Sequence, residues 1–336
     1  MLLKRLGWLF IGMMILAGTA LALLWNDYQR FLQVPLQLPV DGTRLQVTPG
    51  TPYKRLAHRL AEQGILENAE YWYWYGRQRG QAQRIQAGEY AIPAGTTPTQ
   101  LFDLLIAGKT IDYALTFVEG STFRQLLLAI RAHPVLTQTL AGLAPAAIME
   151  QLGQPGVHPE GQFFPDTYRF PRGTTDLDYL RRAFQRMQTE KQQAWAKRAP
   201  NIMLKTPEAA LIMASIVEKE TGQGSERPLI SGVFDRRLRI GMKLQTDPTV
   251  IYGMGERYQG NIRRRDLREN TPYNTYVHRG LPPTPICLPG RAALEAAVQP
   301  APGKALYFVA KGDGSHQFSA TLGAHNAAVR RYQLNK

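Results

Sequence analysis

One cysteine, Cys287, stands among 336 residues. That scarcity excludes a disulfide framework and any zinc site built on several thiolates. A lone thiol fits every redox compartment, so cysteine usage says no more. Acid is also scarce, with 26 Asp and Glu against 40 Lys and Arg and a formal net charge of +14. Several familiar chemistries have no local signature: there is no Gly-x-Ser-x-Gly elbow, no Ser-x-x-Lys, no His-Glu-x-x-His and no Gly-x-x-x-x-Gly-Lys-Ser/Thr phosphate loop. The six histidines, His58, His133, His158, His278, His316 and His325, show no ligand spacing, so neither a metal nor another cofactor is expected. What is present is ordinary globular material. A content of 44% hydrophobic and 20% charged residues excludes a disordered chain, a coiled coil and a collagen-like repeat, and the length has room for two domains.

Leu6 to Trp25 is a run of twenty uncharged, mostly apolar residues preceded by Lys4 and Arg5. That length crosses a bilayer once as a helix. Only Arg30 follows closely, so the charge bias predicts a cytoplasmic tail over 1–5, a transmembrane helix over 6–25, and everything later outside the cytoplasm. The rival is a cleaved signal peptide, because Ala20-Leu21-Ala22 fits a small-x-small cleavage pattern. Leu23, Leu24 and Trp25 continue the apolar run past that cut and favour the anchor. Residues 26–40 read as a linker, of which Pro35 to Pro39 is a short extended stretch. In a cytoplasmic protein +14 would first suggest nucleic acid; this topology argues against it. The small basic clusters Arg263 to Arg265 and Arg330-Arg331 suit a surface near anionic headgroups equally well.

A weak internal repeat follows. Gly50-Thr51-Pro52, Gly95-Thr96-Thr97 and Gly120-Ser121-Thr122 each come after a short β-like stretch (Leu45 to Val47, Glu89 to Ile92, Leu115 to Val118) and before a helical pattern. A glycine turn and a hydroxyl N-cap opening a helix is the physical reading, and chance reuse of a common connection is the plainer one. Tyr71-Trp72-Tyr73-Trp74-Tyr75 is too dense for one helix face to hide. Some of these rings belong to the core, and the others are open to sugar stacking or to a domain contact. Residues 41–110 thus form a small βααβ unit with a further helix. A helix-rich middle over 123–198 gives way, from about Thr206, to one strongly apolar helix among Gly- and Pro-rich segments and a late strand, Leu306 to Ala310. The class is α+β.

Thr206-Pro207-Glu208 opens that apolar helix with an N-cap, a proline at its first position and an acid in its first turn; Gly222 is the expected stop. Ala209 to Val217 is apolar or small at nearly every position and ends in Glu218-Lys219-Glu220. A carboxylate here is disfavoured by desolvation and by the negative end of the helix dipole, and both effects suit a general acid. Periodicity does not choose between Glu218 and Glu220, and an exposed, idle pair at a helix end is equally compatible.

The sequence resembles the YceG-like endolytic murein transglycosylases (MltG). The resemblance rests on Glu160 to Tyr168, Ala214 to Thr221, Leu244 to Gly253, Pro272 to Tyr276, Gly280 to Ile286 and Leu306 to Ala310. It implies a single-pass protein of the bacterial inner membrane with its N-terminus cytoplasmic, a LysM-like module over 41–110 and a periplasmic catalytic domain over 111–336. It further implies cleavage of the β-1,4 bond between N-acetylmuramic acid and N-acetylglucosamine inside nascent peptidoglycan strands, leaving 1,6-anhydro ends, in the role of a terminator of glycan elongation beside peptidoglycan synthases. Under the resemblance the catalytic acid falls on Glu218. Gln245, Asp247, Tyr252, Asn274 and Tyr276, in Gly/Pro-bounded segments, become the expected sugar-binding residues, although Asp247 before Pro248 also suits an N-cap. The alternatives are a hydrolytic muramidase with Asp247 or another acid as second carboxylate, and a non-enzymatic peptidoglycan-binding scaffold.

Overall fold

The computed structural model describes residues 2–334, with side chains from Gly7 onward. Met1 and the side chains of Lys4 and Arg5, on which the expected cytoplasmic tail rests, lie outside the described residues. The chain divides into two compact units, residues 1–113 with 171–173, and residues 114–170 with 174–336. The class is mixed α and β: helices make the body of the protein, and strands form two-stranded sheets.

In the first unit, α1 (Leu2–Gln33) is long and apolar enough over Gly7–Gln33 to cross a membrane. Within the expected linker span 26–40, the chain is helical as far as Gln33, Pro35 to Pro39 is non-helical, and Tyr28, Phe31, Leu32 and Leu36 enter the buried cluster of this unit. The apolar run ends at Trp25, but helical geometry does not, because these later rings find a core to enter. Then follow β1 (Thr43–Val47), α2 (Tyr53–Glu62), α3 (Ala69–Arg79), β2 (Gly88–Ile92) and α4 (Pro98–Ala107). β1 and β2 pair antiparallel, from Thr43 opposite Ile92 to Val47 opposite Gly88. Trp72 is fully buried and donates its indole N–H to the Pro98 carbonyl (2.9 Å). Beside it Gly76 has no side chain because the Tyr53 ring occupies that space.

The second unit contains most of β3 (Asp112–Thr116), then α5 (Phe123–Ala132), α6 (Pro145–Gln151), β4 (Thr167–Pro171), which pairs with β3, and α7 (Asp176–Ala196). After these come α8 (Pro207–Glu220), α9 (Arg227–Arg239), α10 (Asp247–Met254), α11 (Arg291–Val298), β5 (Tyr307–Ala310), β6 (His316–Ser319) and α12 (Leu322–Val329). β5 and β6 form an antiparallel hairpin with Ala310 opposite His316. α8 is the central element: Leu211, Ala214, Ile216 and Val217 share one cluster with Met187, Ile230, Phe234, Leu294 and Val298.

The repeated turn is real in backbone and partial in chemistry. Gly50, Gly95 and Gly120 all have positive φ, at 74°, 80° and 78°. Thr97 and Thr122 cap α4 and α5 in reciprocal boxes with Gln100 and Gln125. The first copy differs, because the N-cap of α2 is Pro52 and no side chain caps it.

Candidate active site

α8 begins where the Thr206 hydroxyl accepts the Ala209 N–H (3.1 Å) and Pro207 fixes the first helical φ. Ala210 to Val217 are buried throughout. Within that run Ser215 donates to the Ile212 carbonyl (2.7 Å) and accepts the Ile286 N–H (3.0 Å), which ties the 284–288 loop to the helix. The helix carries on to Glu220, and the chain leaves it through an extended Thr221 rather than at the expected glycine. At 100° per residue, side chains two apart diverge by about 200°, so Glu218 and Glu220 leave opposite sides of the helix.

Glu218 turns into an ion cluster. Its side chain is 5% exposed; one oxygen accepts from Arg227 (2.8 Å) and the other from the Gly290 N–H (2.9 Å). Arg227 also lies 3.8 Å from Glu119, whose carboxyl covers Gly290 so closely that a Cβ there would collide with it. Burial, with the Glu218 charge adding, moves the Glu119 carboxyl above its usual range, and Arg227 opposes this. Lys219 reaches the Gly120 carbonyl (3.3 Å).

Glu220 faces a groove of about 500 Å³ whose wall includes Arg237, Gln245, Asp247, Tyr276, Tyr307 and His316. The Thr246 hydroxyl donates to its carboxyl. Burial foremost, with the Asp247 charge adding, pushes Glu220 up to about 7 against the opposing pull of Thr246, His316 and Arg237. His316 is oriented from behind: Glu226 accepts its backbone N–H (2.9 Å) and meets its Nδ1 (2.6 Å). Across the groove the Tyr276 hydroxyl donates to Asp247 (2.6 Å). Gln245 takes a positive φ of 51°, with its N–H on the Thr275 carbonyl, which turns the chain into Thr246 and α10.

The expected site residues therefore divide. Gln245, Asp247 and Tyr276 line one groove, and the carboxyl they share it with is Glu220. Asp247 does not act as an N-cap; Thr246 holds that position and Asp247 is the first helical residue. Glu218 lies outside this groove. Tyr252 donates its hydroxyl to Glu160 (3.1 Å) and packs on Tyr273. Asn274 is fully buried: its amide N–H groups serve the Asp266 and Glu269 carbonyls, and its oxygen accepts the Tyr276 N–H. Asn274 thus positions Tyr276 through the backbone. Glu160 is itself buried, accepts the Phe123 N–H (2.9 Å), and is raised to about 7 by desolvation. Sequence reading passed over Arg227, Arg237, Glu226 and Thr246 and gave His316 no role. Only the fold brings β6 beside the end of α8, so no local spacing could have flagged them.

The chain is similar to several known proteins. Relatives include an endolytic murein transglycosylase of Bacillus subtilis, 29% identical over 92% of this chain and 90% of its own length. Another, of Streptococcus pneumoniae, is 25% identical over 81% of this chain and 56% of its own length. The crystal structure of a YceG-like protein of Listeria monocytogenes superposes with a TM-score of 0.54 at 27% identity, covering 85% of this chain and 98% of that one. The model of the YceG-like family matches residues 45–331, nearly all of the sequence beyond the apolar helix, and the chain belongs to that family.

Proposed function

We propose that this protein is a lytic transglycosylase of peptidoglycan that cuts within glycan strands, with Glu220 as its acid and base. The observation that carries the reading is the Glu220 carboxyl, held by the Thr246 hydroxyl on the wall of a groove lined by Gln245, Asp247 and Tyr276; burial, which raises this carboxyl, is consistent with it. Glu220 gives its proton to the N-acetylglucosamine oxygen as the C1–O bond of the muramyl residue breaks. As carboxylate it then takes the proton of the muramyl 6-hydroxyl while that oxygen closes on C1. The product carries a 1,6-anhydro end, the acid is restored, and no water is consumed. A single carboxylate suffices because the nucleophile belongs to the substrate, whereas ordinary glycosidases need two.

The resemblance had put this role on Glu218. Both Glu218 oxygens are occupied, by Arg227 and by the Gly290 N–H, and Glu218 is not among the residues lining the groove. The hydrolytic reading keeps one supporting observation, since Asp247 stands in the same groove as Glu220 and offers a second carboxylate. Around this core we place the wider reading: a LysM-like module over 41–110 that holds glycan, supported by its β-α-α-β order; a single-pass anchor in the inner membrane with the catalytic unit in the periplasm; and action beside synthases as a chain terminator.

The test is product analysis on purified glycan strands with wild type, E220Q and E218Q. Anhydro ends from wild type and E218Q, and none from E220Q, are the expected result. Ends one water heavier would establish hydrolysis; loss of cutting in well-folded E218Q with E220Q active would return the acid to Glu218.

A further inference from the structure

The aromatic run of α3 leaves a feature that catalysis does not use. Trp72 is core, but Trp74 is 57% exposed, and so are Leu21, Leu24 and Trp25 of α1 (70%, 60% and 58%). These residues meet in one groove of about 420 Å³ with Tyr28, Tyr71 and Gln78. The two helices are fixed there by rings and two hydrogen bonds: Tyr28 packs edge-on to Tyr71 (5.5 Å), Trp25 lies 5.7 Å from Tyr28, the Tyr71 hydroxyl donates to Asp27 (3.0 Å) and the Tyr28 hydroxyl donates to Gln78 (3.0 Å). The level of the groove follows from the helix rise. Leu21 lies about 6 Å inside Trp25, the last residue of the apolar run, and Asp27 lies about 3 Å beyond it at 1.5 Å per residue. A groove that starts within the span and ends at the first charge after it sits at the depth where Trp and Tyr are enriched, one edge apolar and the other wet.

We propose that this face, Trp25 of α1 with Tyr71, Trp74 and Gln78 of α3, is a lipid-binding surface seated in the headgroup region of the bilayer, so that the first unit lies on the membrane rather than above it on a tether. The occupant is phospholipid. The groove is continuous with the exposed apolar side of α1, its lining is mostly apolar, and the Tyr71 hydroxyl with Asp27 supplies polar groups beyond the apolar run. Arg30, exposed one turn beyond Trp25, stands where lipid phosphates would lie. The inference rests on α1 being the membrane anchor.

The test uses the full chain in phosphatidylcholine vesicles. Cys287 is buried, so an introduced cysteine is the accessible thiol. A nitroxide is placed in turn at Trp74→Cys, Gln78→Cys, Leu16→Cys and the exposed Glu62→Cys, and its collisions with oxygen and with a water-soluble nickel chelate are measured. The expected oxygen-to-nickel ratio is highest at 16, several-fold above that of 62 at both 74 and 78, and lowest at 62. Because Gln78 is exposed, its label keeps the question open to measurement if Trp74→Cys folds poorly. A deep label at 16 with 74 and 78 no different from 62 overturns the inference and leaves the anchor standing. Labels at 74 and 78 shielded from both reagents would mean that protein fills the groove, which also overturns it. A label at 16 exposed to the nickel chelate removes the anchor itself and the inference with it.

Discussion

Glu218 and Glu220 share one helical turn, and their surroundings could hardly differ more. Glu218 meets a guanidinium and a backbone N–H and is closed off by Gly290 and Glu119. Glu220 meets a hydroxyl and the edge of an open groove. The first arrangement is how proteins tolerate a buried charge, by pairing it on every side. The second is how they raise a carboxyl toward neutral pH, when the cost of burial outweighs the pull of nearby positive charge. The lesson is that desolvation alone does not mark an acid; the partner of the desolvated group does.

The comparison is broken most directly by exchanging each carboxylate for an amide. E220Q is expected to lower the rate of anhydro-end formation by at least about 10³-fold, the scale of losing a general acid, read by chromatography of digested strands. Its stability moves the other way. A carboxyl raised from an unfolded value near 4.5 to about 7 contributes stability below pH 4.5 that is lost as pH rises through 7, so E220Q should unfold at or above the wild-type temperature at pH 8.

E218Q should show the reverse pattern. Turnover is retained, and stability falls by up to about 3 kcal/mol, because the buried Arg227 loses its nearer carboxylate and keeps only Glu119 at 3.8 Å. A denaturant titration of E218Q beside the E218Q/R227Q double variant checks this: part of the loss should return when both charges go.

The pH profile sharpens the contrast further. kcat/KM should fall about tenfold per unit above pH 7, where Glu220 loses its proton, and stay level below it. Glu160 titrates in the same range without touching the groove, so E160Q should leave this limb in place. By the same sign argument, the stability of E160Q relative to wild type should grow by up to about 3 kcal/mol between pH 4.5 and pH 8. Thermal unfolding across pH separates the two effects.

The smallest expected change is Y276F, which removes one hydrogen bond to Asp247. A rise in KM of less than about tenfold, worth roughly 1 kcal/mol, with kcat nearly kept, would fit a positioning role.

Much of the local structure was legible in the chain. The N-cap, proline and apolar run of α8 fixed its start and its burial, and the Gly-Thr turns fixed two capping boxes. Gln245, Asp247 and Tyr276, expected in Gly- and Pro-bounded segments, line one groove. Asn274 and Tyr252 carried the same signal and turned inward, because nothing in sequence reports which way a loop side chain points. Residues 26–33 are helical although the apolar run ends at Trp25, because their packing partners are supplied by α3 and α4, far along the chain.

By itself, then, the sequence determined the elements: a run long enough to span, a buried helix ending in acid, and turns that only glycine accepts. These follow from local sterics and from periods of two and 3.6 residues, which neighbours in the chain are enough to express. The different surroundings of the two carboxylates arise in three dimensions, where α9 brings Arg227 to one side of α8 and the β5–β6 hairpin brings His316 to the other. The charge state of a buried group depends on distances of a few ångströms to residues that stand far away along the chain.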